Sequence, residues 1–530
     1  MPSIMLGAEN ERHPWSLKWL FSIEMWERFG FYLMLGILVL FLTDKKTTGG
    51  FGYTDEFAAE IYGTFYALCY IMPFIGGMIA ERVIGFRRSI LIGAIMMMSG
   101  YFMLATVTPL TFYLGLLLIV LGNGFFKPNI SAMLGKFYPD NSELKDSGFN
   151  IFYMGINIAG FFCNFIAAYL RHNYGWDYAF AGAGAGMALS VMILLVVYNR
   201  LKPIDDIIAL ARKEPRDPSE VGFKYMAKWV LPPVIILGGF GIWLFGTNWG
   251  FILACLPIVV FYIQLWVTSK KNEKGPLGAL LVVLFVSLPF WTIYSLNGAA
   301  LTFWAEDYTE REFQDNKVLD WTMNTFQFAE KAGHDSYYFA TDKPQSVVTS
   351  VPAEGQKVRL LSAEIMQSIN PFFIVVLIPL IVLILGYLRK KNKEPSTPSK
   401  IGIGLSLAAL SMVVMLFASF ASSDGVFKVS VWWLISVYFL ATAAECFVSP
   451  VGLSLVSKMS PIRFTAVMMG GWFLVTATGG KLAGFISGLM KSVPHEELFI
   501  GLAIFAMLFA VVVFIITPWL NKYMPKLKKD

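Results

Sequence analysis

Three ionisable residues open the first long apolar run of the chain. Glu24, Glu27 and Arg28 stand at spacings of three and four in EMWERFGFYLMLGILVLFLT (24–43), so on a helix they share one face. A charge inside such a run is costly unless it is paired or wetted. Either these residues end a helix at the lipid headgroups, or they face a water-filled path. Lys127 in GNGFFKPNIS poses the same choice beside the helix-kinking Pro128, with snorkelling as the simpler alternative to a cavity wall. Asn157, between Gly155 and Gly160, can serve a cavity or a helix–helix contact. Trp291 and Tyr294, three apart, can form one aromatic wall, with Ser295 and Asn297 following. Glu445 stands deep in AAECFVSPVGLS, ahead of Ser449 and Pro450. A lone carboxylate there needs a cation or a proton, which makes Glu445 the best single candidate. Gln367 and Asn370, ahead of Pro371, are weaker ones.

The elements that must position these residues are membrane-spanning helices. The chain has 530 residues, 56% hydrophobic and 15% charged, with a mean hydropathy of +0.61. Soluble domains carry about 25% charged residues. Apolar stretches long enough to cross a bilayer recur from end to end, and the alternation of barrel strands is absent. Apolar runs at about 20–42, 57–80, 90–106, 110–134, 149–170 and 178–198 predict six spans. Two more follow at about 230–246 and 251–268, joined by the turn Gly246–Gly250. The last six lie at about 278–304, 366–387, 401–420, 430–456, 464–488 and 497–519. The expectation is an all-α integral membrane protein with fourteen spans, arranged six, two and six.

Basic residues set the orientation. Arg82, Arg87 and Arg88, the segment 200–228 with Arg212, Lys213, Arg216 and Lys224, Lys270, Lys271 and Lys274, Arg389 to Lys393, Lys458 with Arg463, and a lysine tail alternate with near-neutral links at 107–109, 246–250 and 421–429. Both termini are therefore expected in the cytoplasm, at the inner or plasma membrane. The hydrophilic excursion 306–362 is expected outside, as a folded cap or a loose loop, and apart from any transport core. The expected divisions are an N-terminal bundle (1–199), a linker with an inserted helix pair (200–275), and a C-terminal bundle (276–530). Two such bundles suggest motion around a central site.

Other classes are disfavoured. No GxxxxGK[ST] motif appears, so no nucleotide drives the chain. Cys69, Cys163, Cys255 and Cys446 all fall in apolar runs, and His13, His172, His334 and His495 are expected outside the spans. Neither set forms a metal-ligand pattern, so no metal or cofactor is expected. No nucleophile–base pair argues for an enzyme. The net charge of +6 comes largely from short loops, so it concerns topology and not nucleic acid.

Several segments resemble the proton-dependent oligopeptide transporter family of the major facilitator superfamily. Its first-span pattern E-x-x-E-R-F-x-Y-Y is matched by Glu24 to Tyr32, with Phe31 in place of tyrosine. GGMIAERVIGFRR resembles the superfamily loop after the second span, with Glu81 where aspartate is usual. Lys127–Pro128, the FYxxIN signature (Phe152, Tyr153, Ile156, Asn157) and the segment Glu445, Ser449, Pro450, Gly452 follow in order. The resemblance implies the major facilitator fold and inward symport of di- and tripeptides with protons across a lipid bilayer. It makes Glu24, Glu27, Arg28 and Lys127 the coupling cluster. Glu445 and Asn157 would face the peptide's amino end and backbone, and Tyr32, Trp291, Tyr294, Ser295 and Ser449 would line the pocket. Two departures stand out: Leu35 replaces a frequent second arginine, and Ser295 occupies the place of a usual span-seven glutamate. Removing a cation and an anion together leaves neither buried alone. The same departures open an alternative, a carrier of modified or cyclic peptides or peptide-like metabolites, with altered or absent proton coupling.

Overall fold

The computed structural model describes residues 13–138, 144–205, 225–313, 321–323, 325–460 and 465–523. Arg212, Lys213, Arg216, Lys224, Arg463 and the terminal lysines 526, 528 and 529 lie outside these residues. Helices dominate: α1 (Ser16–Thr43), α2 (Asp55–Ile79), α3 (Phe86–Leu104), α4 (Pro109–Lys136), α5 (Leu144–Tyr174), α6 (Trp176–Val197), α7 (Leu231–Phe245) and α8 (Thr247–Thr268). Three shorter helices come next, α9 (Lys271–Val286), α10 (Leu288–Ser295) and α11 (Ala300–Asp307), then α12 (Ile369–Lys390), α13 (Thr397–Ala421), α14 (Trp432–Met459), α15 (Thr465–Gly488) and α16 (His495–Asn521). Thirteen helical segments among the described residues are long and apolar enough to cross a membrane. The helix α3 is outside that set because it opens on Arg87 and Arg88.

Local chemistry sets the boundaries. The Thr54 hydroxyl caps α2 by accepting from the Phe57 amide at 3.3 Å, with Asp55 and Glu56 favourably placed in the first turn. In α13 the cap is Ser396, with Pro398 just inside the helix. Small residues then let backbones meet. A Cβ added to Gly100 of α3 would lie 2.7 Å from the Gly115 carbonyl of α4.

α1 packs on α5 and α6, α3 on α4 and α6, and α2 on α4. Later in the chain α13 packs on α14 and α16, and α12 on α14. Among the helix–helix contacts that join these groups, α2 with α15 and α5 with α12 are the most extensive. α7 and α8 pack on each other and leave most of their apolar side chains exposed, as a lipid-facing pair would.

The expected seventh span is broken. It turns at Ser287 and again through a 3₁₀ turn, Leu296–Gly298, which interrupts the helix beside Ser295. Two of the four histidines also depart from expectation. His172 belongs to the last turn of α5, which runs four residues further than its apolar stretch, and His495 opens α16.

The excursion is a folded cap. β1 (Thr309–Glu310) pairs in parallel with β4 (Val429–Ser430), and β2 (Ala329–Gly333) pairs antiparallel with β3 (Lys357–Leu361). Its centre is Arg311, fully buried, 2.6 Å from Glu330 and 3.4 Å from Glu306. Arg171 of α5 reaches Glu364, beside the cap, at 3.0 Å, and the His172 Nε2 lies 2.7 Å from the Ser362 hydroxyl. The cap is thus tied to the α1–α6 group as well as to its own neighbours.

Candidate functional site

A cavity of about 270 Å³ lies between the two helix groups. Glu24, Arg28, Tyr32, Lys127 and Asn157 line it from one group, and Trp291, Tyr294, Ser295, Glu445 and Ser449 from the other. Of the sequence candidates only Glu27 is absent from the wall, because it sits behind Arg28.

The first cluster is close to internally balanced. Arg28 makes a two-point contact with Glu27, through Nε and Nη2, and lies 3.5 Å from Glu24. All three are at most 2% exposed. Arg28 Nη2 also donates to the Asn123 side-chain oxygen at 3.1 Å, and Asn123 donates in turn to the Cys69 carbonyl at 2.7 Å. Phe31 and Tyr32 place their rings near the guanidinium. One Glu24 oxygen, Oε2, is buried with no hydrogen-bond partner among the described residues. Lys127 has no carboxylate within ion-pair distance among those residues, and its ammonium lies 4.2 Å over the Tyr70 ring.

The opposite wall is differently provided. Glu445 is 7% exposed and accepts from Asn370 Nδ2 at 3.0 Å. Asn370 also donates to Thr442 at 2.9 Å. No lysine or arginine pairs with Glu445 among the described residues. The hydroxyls of Ser295 and Ser449 and the Trp291 indole N–H are buried without partners there. Trp291 meets Tyr294 and Trp472 edge-on, with ring centroids 5.7 and 5.9 Å apart. Asn157 donates to the Tyr153 carbonyl one turn earlier at 3.0 Å.

Sequence reasoning missed several wall residues. Tyr62, Tyr66 and Tyr70 recur every four residues and form a ladder on α2, with centroids 5.7 and 4.8 Å apart. Their spacing was a usable signal, because a polar edge repeated on one face of a spanning helix needs a polar surface to meet. Asn123, which holds Arg28 from behind and is not on the wall, carried none beyond being polar in an apolar run. Gln367 joins the two groups, donating to the Gly36 carbonyl at 3.2 Å and to Thr302 at 2.8 Å. Asn164 donates to Ser368 at 3.1 Å nearby. These contacts close the cavity toward the cap.

What the arrangement can do follows from its charges. One wall offers cations, the other a carboxylate whose partners, Asn370 and Tyr294, are neutral, and aromatic rings stand between them. No cluster of metal-ligand type occurs among the described residues.

Comparisons with known proteins agree on the family. A family model described as the POT family matches residues 87–211 and 356–500. A di-/tripeptide transporter of Lactococcus lactis subsp. cremoris is 29% identical, over 96% of each chain. The peptide transporter YePEPT of Yersinia enterocolitica is 28% identical, over 91% of this chain and 88% of that one. A crystal structure of a peptide transporter POT in complex with sulfate superposes with a TM-score of 0.76 at 26% identity, covering 96% of this chain and 95% of that chain. A variant of a peptide transporter POT in complex with alafosfalin gives 0.75 at 26%, with the same coverage. The all-α membrane architecture with a cavity between two helix groups is thus that of a known transporter fold, and the chain belongs to the POT family.

Proposed function

We propose that the protein is a proton-coupled symporter that carries di- and tripeptides into the cell by alternating access. One observation carries the reading: the cavity is polarised, with Arg28 and Lys127 on one wall and Glu445, lacking a cation, on the other. A short free peptide is a zwitterion, and its ammonium supplies what Glu445 lacks. Its carboxylate suits the cationic wall. Tyr32, Asn157, Trp291, Tyr294, Ser295 and Ser449 then offer backbone hydrogen bonds and aromatic contact. The volume, about 270 Å³, is just below the usual range for ligand pockets, about 300–1,000 Å³, and suits a short peptide better than a larger solute.

The coupling assignment is Glu24 and Glu27 with Arg28 and Lys127. A proton on either carboxylate weakens its hold on Arg28 and so biases the two packings of the bundles. Ser295 removes the usual acid from the opposite wall, which leaves this cluster as the candidate. The topology proposed with it has fourteen spans, counting α3 and the broken α9–α11 segment as one each. Both termini lie in the cytoplasm and the cap outside the inner or plasma membrane. The bundles are residues 1–199 and 276–530, with the inserted pair in 200–275.

The test is the reversal potential of dipeptide uptake in proteoliposomes, with pH and membrane voltage set independently. Coupled symport predicts accumulation set by both gradients. Accumulation indifferent to both would make the protein a facilitator or exchanger.

A further inference from the structure

Two charged residues outside the coupling cluster and the cavity stand at the contact between the helix groups: Glu60 of α2 and Lys481 of α15. They face each other where the backbones of the two helix groups meet closely. A Cβ added to Gly63 would lie 2.9 Å from Gly484 Cα, and one added to Gly484 would lie 2.6 Å from Gly63 Cα. The backbones touch at this seam, which excludes water and raises the cost of an unmatched charge. Lys481 is 5% exposed. Its ammonium donates to Thr64 Oγ1 at 2.8 Å and to Thr247 Oγ1 at 3.1 Å. The Thr247 hydroxyl donates its own proton to a Glu60 carboxylate oxygen. One hydroxyl thus accepts from the cation and donates to the anion.

Thr247 belongs to neither bundle. It is the first residue of α8, in the inserted helix pair, and Gly246 at φ +87° turns the chain so that the helix starts in the seam. α8 also rests on α15, with Tyr262 donating to the Val467 carbonyl at 2.7 Å. A second pair, Asp55 with Lys491 at 2.8 Å, lies near the same end of the seam, where Lys491 follows α15.

We propose that Glu60, Thr247 and Lys481 form a hydroxyl-bridged charge pair that clasps the two bundles on the cap side. In it the inserted helix pair is a working part of the transport cycle, with Thr247 as its positioning residue. Opening toward the cap side must separate α2 from α15 and break the bridge. Its strength therefore sets how often that side opens. The proposal rests on the alternating-access reading above.

Spin labels at the exposed positions Phe57 and Ser492, with the half-buried Cys255 and Cys446 changed to alanine, report the opening directly. Wild type in lipid nanodiscs should give mainly one short distance. Thr247→Val keeps the shape but loses the bridge. It should add a longer-distance population and change the dipeptide exchange rate at least threefold, with dipeptide Kd corrected for the open fraction unchanged. Thr247→Ser restores the hydroxyl and should behave as wild type. The double variant Glu60→Gln with Lys481→Met, which leaves no unmatched charge, should resemble Thr247→Val. Distances and exchange unchanged in Thr247→Val, or a serine variant as impaired as the valine variant, would overturn the proposal. Distances that respond as expected in a protein that moves no peptide would uphold the clasp and contradict the peptide-transport reading.

Discussion

The two walls of the cavity solve the problem of a buried charge in opposite ways. Arg28 is held by Glu27, by Glu24 and by Asn123, all within the α1–α6 group. Glu445 has neutral partners alone among the described residues, the Asn370 amide and the Tyr294 hydroxyl. A charge balanced from within can be unbalanced by a proton, so it suits a switch. A charge left short of a partner is stabilised by an arriving cation, so it suits recognition. The difference teaches that partner inventory, more than burial, separates the two roles, since Arg28 and Glu445 are both buried.

Breaking the balanced side should have the largest effect. Arg28→Met leaves Glu27 without its buried cation, and removing one partner of such a pair costs roughly 3–5 kcal/mol. Low yield of folded protein and a fall in its thermal midpoint in detergent are expected, and a variant as stable as wild type would show that the pair is not holding the cluster. Glu445→Gln should do the reverse, keeping stability while losing affinity. A hydrogen bond to a charged group is worth about 1.5–3 kcal/mol, which corresponds to a loss of ten- to a hundredfold in dipeptide affinity. Calorimetry on purified protein reads this, and unchanged affinity would remove Glu445 from the solute site.

Glu27→Gln should separate the two roles within one assay. Accumulation driven by a pH gradient should fall several-fold, while exchange without a gradient should survive better because it moves no net proton. Equal loss of both would make the cluster structural. Asn157→Ala should weaken dipeptide binding by a few-fold, less than Glu445→Gln, because Asn157 already spends one donor on Tyr153.

The smallest effect lies outside the membrane and checks the same logic on the cap. Lys428 is 2% exposed, donates to the Pro344 carbonyl and lies over the Tyr338 ring. Burial pushes its ammonium down to about 8, below the ordinary lysine value of 10.5. The unfolded cap therefore binds more protons than the folded one between pH 8 and about 10.5, and stability rises with pH across that window. Slower amide exchange in residues 329–361, corrected for intrinsic rate, is expected as pH rises from 8 to 10. No change would mean that Lys428 keeps its ordinary proton affinity.

Most of the site was legible because charges in apolar runs stand out. Glu24, Arg28, Lys127 and Glu445 each interrupt a stretch that lipid alone would fill, and all four line one cavity. Glu60 escaped notice because it is near the start of its run, where a charge is ordinarily read as reaching the headgroups, whereas Lys481, as far inside its run as Lys127, carried the same signal. Only the bridge through Thr247, 187 residues away, distinguishes Glu60. The break in the seventh span was legible in part, since Pro289 follows the turn at Ser287 and Asn297–Gly298 accompanies the second interruption. The cap was illegible for another reason. It is built on long-range pairs such as Arg311 with Glu330 and Arg171 with Glu364, which leave no local periodicity.

The central claim is that Glu445 is held short of a partner for the peptide's ammonium group. Its most direct test compares the affinity of a dipeptide and its N-acetylated form in wild type and in Glu445→Gln. The account predicts that acetylation and Glu445→Gln each cost at least tenfold, and that acetylation costs little further in the variant, because both changes remove the same contact. Costs that simply add would show that the ammonium group is recognised elsewhere and would contradict the account.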